Sequence, residues 1–195
     1  MRKYGLLSKI RRKRFLHCGE ETRTYANLLN RNFHADRPNQ KWVTDISYIP
    51  TKQGILYLSV IRDLFDLSIV AYKTSIRQSI KLVLDTVRLA MEKEKVTAEL
   101  QLHSDQGFQY ASQSYFALTT QYGITPSMSR RANPYDNAMA ENFFSILKSE
   151  CIRLYKPETL HDAQTLIDEY IAFYNHERIQ LNSKLSPIEK RRFFA

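Results

Sequence analysis

From Lys41 to Tyr72 apolar and β-branched residues fall into three runs separated by short polar breaks. Trp42, Val43, Thr44, Ile46, Tyr48 and Ile49 alternate loosely with polar positions and predict a strand over Lys41–Pro50. A turn is expected at Thr51-Lys52-Gln53-Gly54. Ile55–Ile61 is almost continuously apolar, as a central strand covered on both faces would be, and Leu67–Tyr72 makes a third strand. Ile80, Val83, Leu84, Val87 and Met91 then follow helical spacing over Ser79–Lys95. Shorter patterns predict a strand at Leu100–His103, a helix at Ser112–Tyr122 ended by Gly123, and a strand at Ile124–Met128. Two helices, Asn137–Leu154 and Thr159–Glu177, close the chain, and a weakly helical segment is expected around Glu20–Asn30. The order βββαβαβαα predicts an α/β fold: a mixed five-stranded sheet with helices on both faces.

Composition sharpens this picture in two places. At 195 residues and 43 % hydrophobic the chain falls in the globular class, and no apolar run approaches the ~18 residues of a membrane span. Two cysteines, Cys18 and Cys151, with no CxxC pair, exclude a disulfide scaffold and a cysteine-rich zinc site, so a reducing cytoplasm is the expected compartment. Of the net charge of +9, seven units lie in residues 1–31, with nine basic and two acidic side chains. Residues 1–38, ending at Asp36-Arg37-Pro38, therefore read as a basic arm, and 39–195 as a nearly neutral core. Arg11, Arg12, Lys13 and Arg14 suit a polyanion such as DNA, whose neutralised phosphates release counterions.

Three acids stand where packing alone would not choose them. Asp45 sits mid-strand, where an unpaired carboxylate is costly. Asp105 follows the fourth strand, at the carboxyl end where open α/β sheets present binding groups. Glu141 lies in the first turns of a helix, with Ser145 and Lys148 on the same face. Taken singly, each has a bland reading: an edge-strand acid, turn chemistry at Asp105-Gln106-Gly107, a favourable acid near a helix start. Together, hard oxygen donors from three elements suit Mg2+ or Mn2+, and three carboxylates can hold two ions for phosphoryl transfer. His103 reads as a structural hydrogen-bonding group rather than a general base, and Asp63 and Asp66 as members of a turn. Tyr110 and Tyr135 are candidates for stacking on an unpaired base.

Three stretches carry a family resemblance: Trp42-Val43-Thr44-Asp45-Ile46-Ser47-Tyr48-Ile49, His103-Ser104-Asp105-Gln106-Gly107-Phe108-Gln109-Tyr110 and Asn133-Pro134-Tyr135-Asp136-Asn137-Ala138-Met139-Ala140-Glu141. With 35 residues between Asp105 and Glu141, the chain resembles the integrase-type catalytic core of OrfB transposases of the insertion-sequence-three family, from about Asn39 to Pro187. The resemblance implies a ribonuclease H-like fold and DNA strand cleavage and transfer at insertion-sequence ends. It implies Asp45, Asp105 and Glu141 as a catalytic, metal-binding triad for two Mg2+ or Mn2+ ions. It makes Lys148 a DNA contact near the reacting end, and gives Tyr174, Asn175 and Arg178 a packing or DNA-backbone role. It also implies terminal inverted repeats and target DNA as substrates, a homo-oligomer on DNA, a nucleoid-associated cytoplasmic setting, and an OrfA-type partner or upstream helix-turn-helix region for end recognition.

Two departures stand out. Ala132 replaces a glycine common in the family. The N-terminus resembles the end of the helix-turn-helix-like region, so the chain is expected to be a shortened product, an internal start or half of a frameshifted fusion. The alternatives are a nuclease on the same fold, which would never join strands, and a non-catalytic DNA-binding remnant or regulator.

Overall fold

The computed structural model describes residues 23–94, 96, 99–131 and 133–194, with Pro134 placed by its backbone alone. Arg11, Arg12, Lys13 and Arg14, together with Cys18 and Ala132, lie outside the described residues. Strands β1 (Lys41–Thr51), β2 (Gly54–Asp63) and β3 (Ile69–Ser75) form an antiparallel meander. Its first turn uses Gly54 at φ 137°, a conformation that suits glycine. After helix α1 (Ile80–Lys93), β4 (Leu100–Ser104) runs parallel to β1, and after α2 (Gln113–Gln121), β5 (Ile124–Met128) runs parallel to β4. The sheet order is β3-β2-β1-β4-β5, the expected mixed five-stranded sheet. Ser79 and Ser112 cap α1 and α2 by accepting from the backbone N–H of Leu82 and Tyr115, which is why both helices begin where their apolar spacing begins.

Two apolar layers sandwich the sheet. On one face Trp42, Ile61 and Leu102 pack against Val83 and Val87 of α1 and Tyr115 and Leu118 of α2. On the other, Ile49, Leu58 and Val60 meet Phe143, Phe144 and Leu147 of α3 (Ala138–Leu147) and Ile167, Ile171 and Tyr174 of α5 (Leu160–His176). Among the described residues no helix is long and apolar enough to cross a membrane.

Local differences from the expectation have identifiable causes. The helix expected over Asn137–Leu154 is broken into a 3-10 turn (Pro134–Asn137), α3, a π turn (Lys148–Ile152) and the single turn α4 (Arg153–Tyr155), ended by Lys156 at φ 47°. The 3-10, π and final α pieces are only four, five and three residues long, too short for their different periods to show in the apolar pattern. The described part of Glu20–Asn30 is not helical: Arg23 N–H bonds to the Ala111 carbonyl, Met128 N–H to the Ala26 carbonyl, and Leu29 is buried with Val43 and Ala140. Residues 23–38 are thus packed onto the core, because tertiary hydrogen bonds outweigh weak local propensity. The chain also ends in a short helix, α6 (Pro187–Arg192), that has no apolar stripe to announce it. Four of its six residues are charged, and a Ser186–Glu189 capping box starts it.

Candidate active site

The register of β1 and β4 brings the first two acids together. Lys41, Trp42 and Val43 pair with Gln101, Leu102 and His103, and the two strands then part. Two residues further on each strand come Asp45 and Asp105, side by side at the point of separation. On β1, Asp45 shares the face of Val43, Ser47 and Ile49, the face covered by α3, whose first turn carries Glu141. Asp105, Gly107, Asn137 and Glu141 line one cleft of about 450 Å³, with Ser129 and Arg130 on its wall.

Electrostatics tie Asp45 to both partners. Its carboxyl is pushed up to about 7, first by burial and then by the charge of Asp105, with a smaller push from Glu141; the Ile46 N–H, 2.7 Å from Oδ1, and the Lys148 charge act the other way. Asp105 is raised by burial, against which the Gly107 N–H donates to Oδ1 at 2.9 Å. A Cβ at position 107 would lie 2.9 Å from that same oxygen, so glycine is what permits this clasp. Among the described residues no lysine or arginine forms an ion pair with Asp45, Asp105 or Glu141. Asp105 and Glu141 line the cleft, and Asp45 lies within reach of the charge of both, without the three closing into a cage. Among the described residues no group of three or more His, Cys, Asp or Glu side chains is arranged to hold an ion.

The loop leading to Glu141 is held by Asp136, a member of the motif stretch that ends at Glu141. Its fully covered carboxylate accepts from Arg130 Nε at 2.9 Å, from Arg31 Nε at 3.0 Å and from Asn27 Nδ2 at 2.9 Å. These bonds hold its carboxyl well below the usual carboxylate range, the Arg130 bond most of all. Asn137 donates to the Thr44 carbonyl at 3.4 Å, next to Asp45, while its buried Oδ1 has no hydrogen-bond partner among the described residues. Arg62, fully buried, donates to the Met139 carbonyl at 2.7 Å, to Tyr174 Oη at 2.7 Å and to Asn142 Oδ1 at 3.3 Å, and so fixes the start of α3 against β2 and α5. No sequence signal marked Arg62 beyond its being a charge at the end of an apolar strand.

The remaining candidates separate. Lys148 opens the π turn, its ammonium 4.8 Å from the centre of the Tyr48 ring and its charge felt at Asp45. Arg178 is engaged by Glu150 at 2.8 and 2.5 Å, and Tyr174 is buried beneath it, so this end of the chain is occupied with packing. His103 is wholly buried between Ser127 Oγ at 2.8 Å and Ser129 Oγ at 3.0 Å, and burial pushes it down to about 4, which leaves it neutral and structural. Tyr110 is 1 % exposed, lies under the cleft and cannot stack on a base, whereas Tyr135 is 70 % exposed.

This is a ribonuclease H-like sheet, with Asp45 and Asp105 just past the paired stretch of its parallel strands β1 and β4 and Glu141 on α3, and the family it matches makes it a polynucleotidyl transferase. The integrase core domain family matches residues 35–134, and a second integrase core domain family matches 141–192. The chain is 42 % identical over 178 residues to the transposase for insertion sequence element IS904 of Lactococcus lactis, covering 90 % of this chain and 70 % of that protein. To the protein InsK for insertion sequence element IS150 of Escherichia coli K12 it is 40 % identical over 189 residues, covering 96 % and 67 %. In fold it is similar to the simian T-cell lymphotropic virus intasome (TM-score 0.71, 18 % identity, 90 % of this chain and 62 % of that one). It is also similar to the HTLV-2 integrase catalytic core domain in complex with magnesium (TM-score 0.65, 17 % identity, 81 % and 99 %). The chain belongs to the integrase-core transposases of the insertion-sequence-three, OrfB type.

Proposed function

We propose that Asp45, Asp105 and Glu141 are the catalytic carboxylates with which this transposase cleaves DNA at insertion-sequence ends and joins the freed end to a target. The observation that carries this reading is that Asp45, Asp105 and Glu141 come within reach of one another's charge and have no lysine or arginine partner among the described residues, Asp45 being driven up to about 7 by burial and by its neighbours. An all-oxygen donor set under such repulsion fits Mg2+ or Mn2+. Two such ions, when bound, supply the positive charge that activates a hydroxyl and offsets charge on the phosphate.

The protein's own part is placement. The Gly107 N–H orients the Asp105 carboxylate, and the ion pairs of the covered Asp136 carboxylate with the half-exposed Arg31 and Arg130 hold the loop from which α3 presents Glu141. Lys148 stands beside Asp45 as a cation for a DNA phosphate next to the reacting one. In the first reaction a water oxygen attacks the phosphodiester and the 3' oxygen of the element end leaves as a hydroxyl. In the second that hydroxyl attacks a target phosphodiester and displaces another 3' oxygen. His103, neutral and with both ring nitrogens engaged, takes no proton in either. Arg11, Arg12, Lys13 and Arg14 bind the DNA backbone, an OrfA-type partner or upstream helix-turn-helix region recognises the terminal inverted repeats, and pairing of two ends requires a homo-oligomer on DNA.

The test is Mn2+-dependent nicking and joining of a supercoiled plasmid by the 195-residue chain beside Glu141→Gln. Joined product that disappears in the variant is the expected result. Equal activity of the two would remove Glu141 from the site, and nicking without any joined product would make the chain a nuclease.

A further inference from the structure

A second groove, of about 650 Å³, lies between the β1–β2 hairpin and the end of the broken helix. It is lined by Tyr48, Pro50, Lys52, Lys148, Ile152, Arg153, Lys156 and Pro157 among others, and Lys148 is the link between it and Asp45. Beyond Val43, β1 no longer has β4 beside it, and along this unpaired edge Tyr48 stands 60 % exposed under the Lys148 ammonium.

Two independent features describe what the groove takes. The first is charge. Of its four cations Lys52 is bonded to Glu158, whereas among the described residues Lys148, Arg153 and Lys156 have no carboxylate partner. Lys148 and Arg153 are close enough that the charge of Arg153, after burial, lowers the affinity of Lys148 for its proton. Like charges crowded together without a counter-ion are relieved by an anion. The second is the π turn. The Arg153 N–H bonds back to the Lys148 carbonyl, five residues earlier, and this wider turn brings Arg153 round to line the same groove as Lys148 and Ile152. The floor between these cations is apolar and partly aromatic: Tyr48, Pro50, Ile152 and Pro157. A duplex keeps its base faces stacked inside and offers only phosphates. An exposed ring beside a row of cations matches a strand whose bases are free to stack.

We propose that this groove holds unpaired nucleotides of one DNA strand next to the reacting phosphate, with a base against Tyr48 and the flanking phosphates on Lys148, Arg153 and Lys156. The proposal rests on the DNA-processing reading above and deepens it by naming the path of the strand as it leaves the carboxylates. Along β1, Tyr48 is three residues, about 10 Å, from Asp45 and on the opposite face of the strand; Lys148, over the Tyr48 ring and with its charge felt at Asp45, joins the two around the open edge.

The experiment measures fluorescence anisotropy of a labelled oligodeoxythymidylate of about 12 nucleotides, within the site sizes usual for single-strand binders, with the full chain in EDTA. Tyr48→Ala is expected to weaken binding roughly tenfold, with Tyr48→Phe restoring it and an abasic strand of equal length insensitive to either. Replacing Arg153 and Lys156 together by alanine is expected to reduce the slope of log affinity against log salt by about 1.4, two phosphates' worth for a single strand. Unchanged affinity in Tyr48→Ala with an unchanged slope in the double variant overturns the proposal, as does equal loss on the abasic strand, which would mark the groove as a site for any polyanion, an acidic peptide included. Plasmid joining separates the two levels. If joining depends on Glu141 while the groove variants bind and join like the parent, the groove proposal fails and the function stands. If the parent neither nicks nor joins but single-strand binding still depends on Tyr48, the groove stands and the catalytic reading fails.

Discussion

The chain contains two clusters of three acids, and they are built in opposite ways. At the end of β2, Asp63 and Asp66 are fully buried and Glu94 is partly exposed, and all three converge on one guanidinium: Arg191 of α6 meets each of them at 2.6 Å. Asp63 also accepts from the Asn39 N–H at 2.7 Å and the Phe65 N–H at 2.9 Å, and Asp66 from the Ser68 N–H at 2.8 Å. Asp45, Asp105 and Glu141 have one backbone donor each at Asp45 and Asp105 and no ion pair among the described residues. The first arrangement fastens the C-terminal helix to the sheet. The second leaves Asp105 and Glu141 without an ion pair in a cleft whose wall carries Arg130 and Arg131, and Asp45 without one nearby, an arrangement open to a cation delivered from solution. The acids that fasten α6 are matched within the chain, whereas the three proposed as catalytic are left short of partners among the described residues.

Breaking the matched cluster gives the largest expected effect on stability. Arg191→Met leaves three acids facing one another and is expected to cost about 3–5 kcal/mol, a fall in Tm of roughly 6–20 °C for a chain of this size, read by thermal unfolding. A shift of a degree or two would show that α6 is only loosely attached. Activity below the new Tm is expected to persist.

The unmatched cluster is expected to answer in the other direction. In EDTA, Asp45→Asn removes one buried, mutually repelling charge and should leave Tm unchanged or raised, while plasmid joining is abolished. Adding Mn2+ at about a hundred times its dissociation constant should stabilise the parent by about 2.7 kcal/mol and leave the variant unmoved. Equal stabilisation of both would place the ion elsewhere.

A third buried group tests the strands on which the cleft stands. His103 is depressed by burial from 6.5 to about 4, so the unfolded chain takes up a proton before the folded one does. Its contribution to stability is therefore present above pH 6.5 and is lost as pH falls toward 4. From pH 7 to pH 5 in EDTA His103 by itself takes away about 2 kcal/mol, while Asp45, raised to about 7, adds stability over the same range. The His103 part is therefore read as a difference: His103→Gln should gain about 2 kcal/mol relative to the parent between pH 7 and pH 5 in the urea midpoint, and parallel curves for the two would assign the dependence to other groups.

The triad was legible in the sequence because its members break local rules: an acid mid-strand, an acid after a strand, and an acid at a fixed distance beyond it. The matched cluster was not. Asp63 and Asp66 read as ordinary turn residues, and nothing in a run of charged residues near the C-terminus singles out Arg191 as their partner 125 or more positions away. Arg62 and Asp136 escaped for the same reason, since each acts through partners far along the chain. Arg178 shows the converse: a motif position marked for packing or DNA-backbone contact is bonded to Glu150, a partner 28 residues away that no local pattern announces.

By itself the sequence determined the order of strands and helices, the mixed sheet and the identity of the acids, because periodicity, capping and residue type are local properties that survive without neighbours. Only the tertiary structure decided which acids have an arginine, that the long helix opens into a π turn at Lys148, and that residues 23–38 lie on the core. Those outcomes depend on which distant groups share a dielectric and a hydrogen bond, and that is settled when the chain closes on itself.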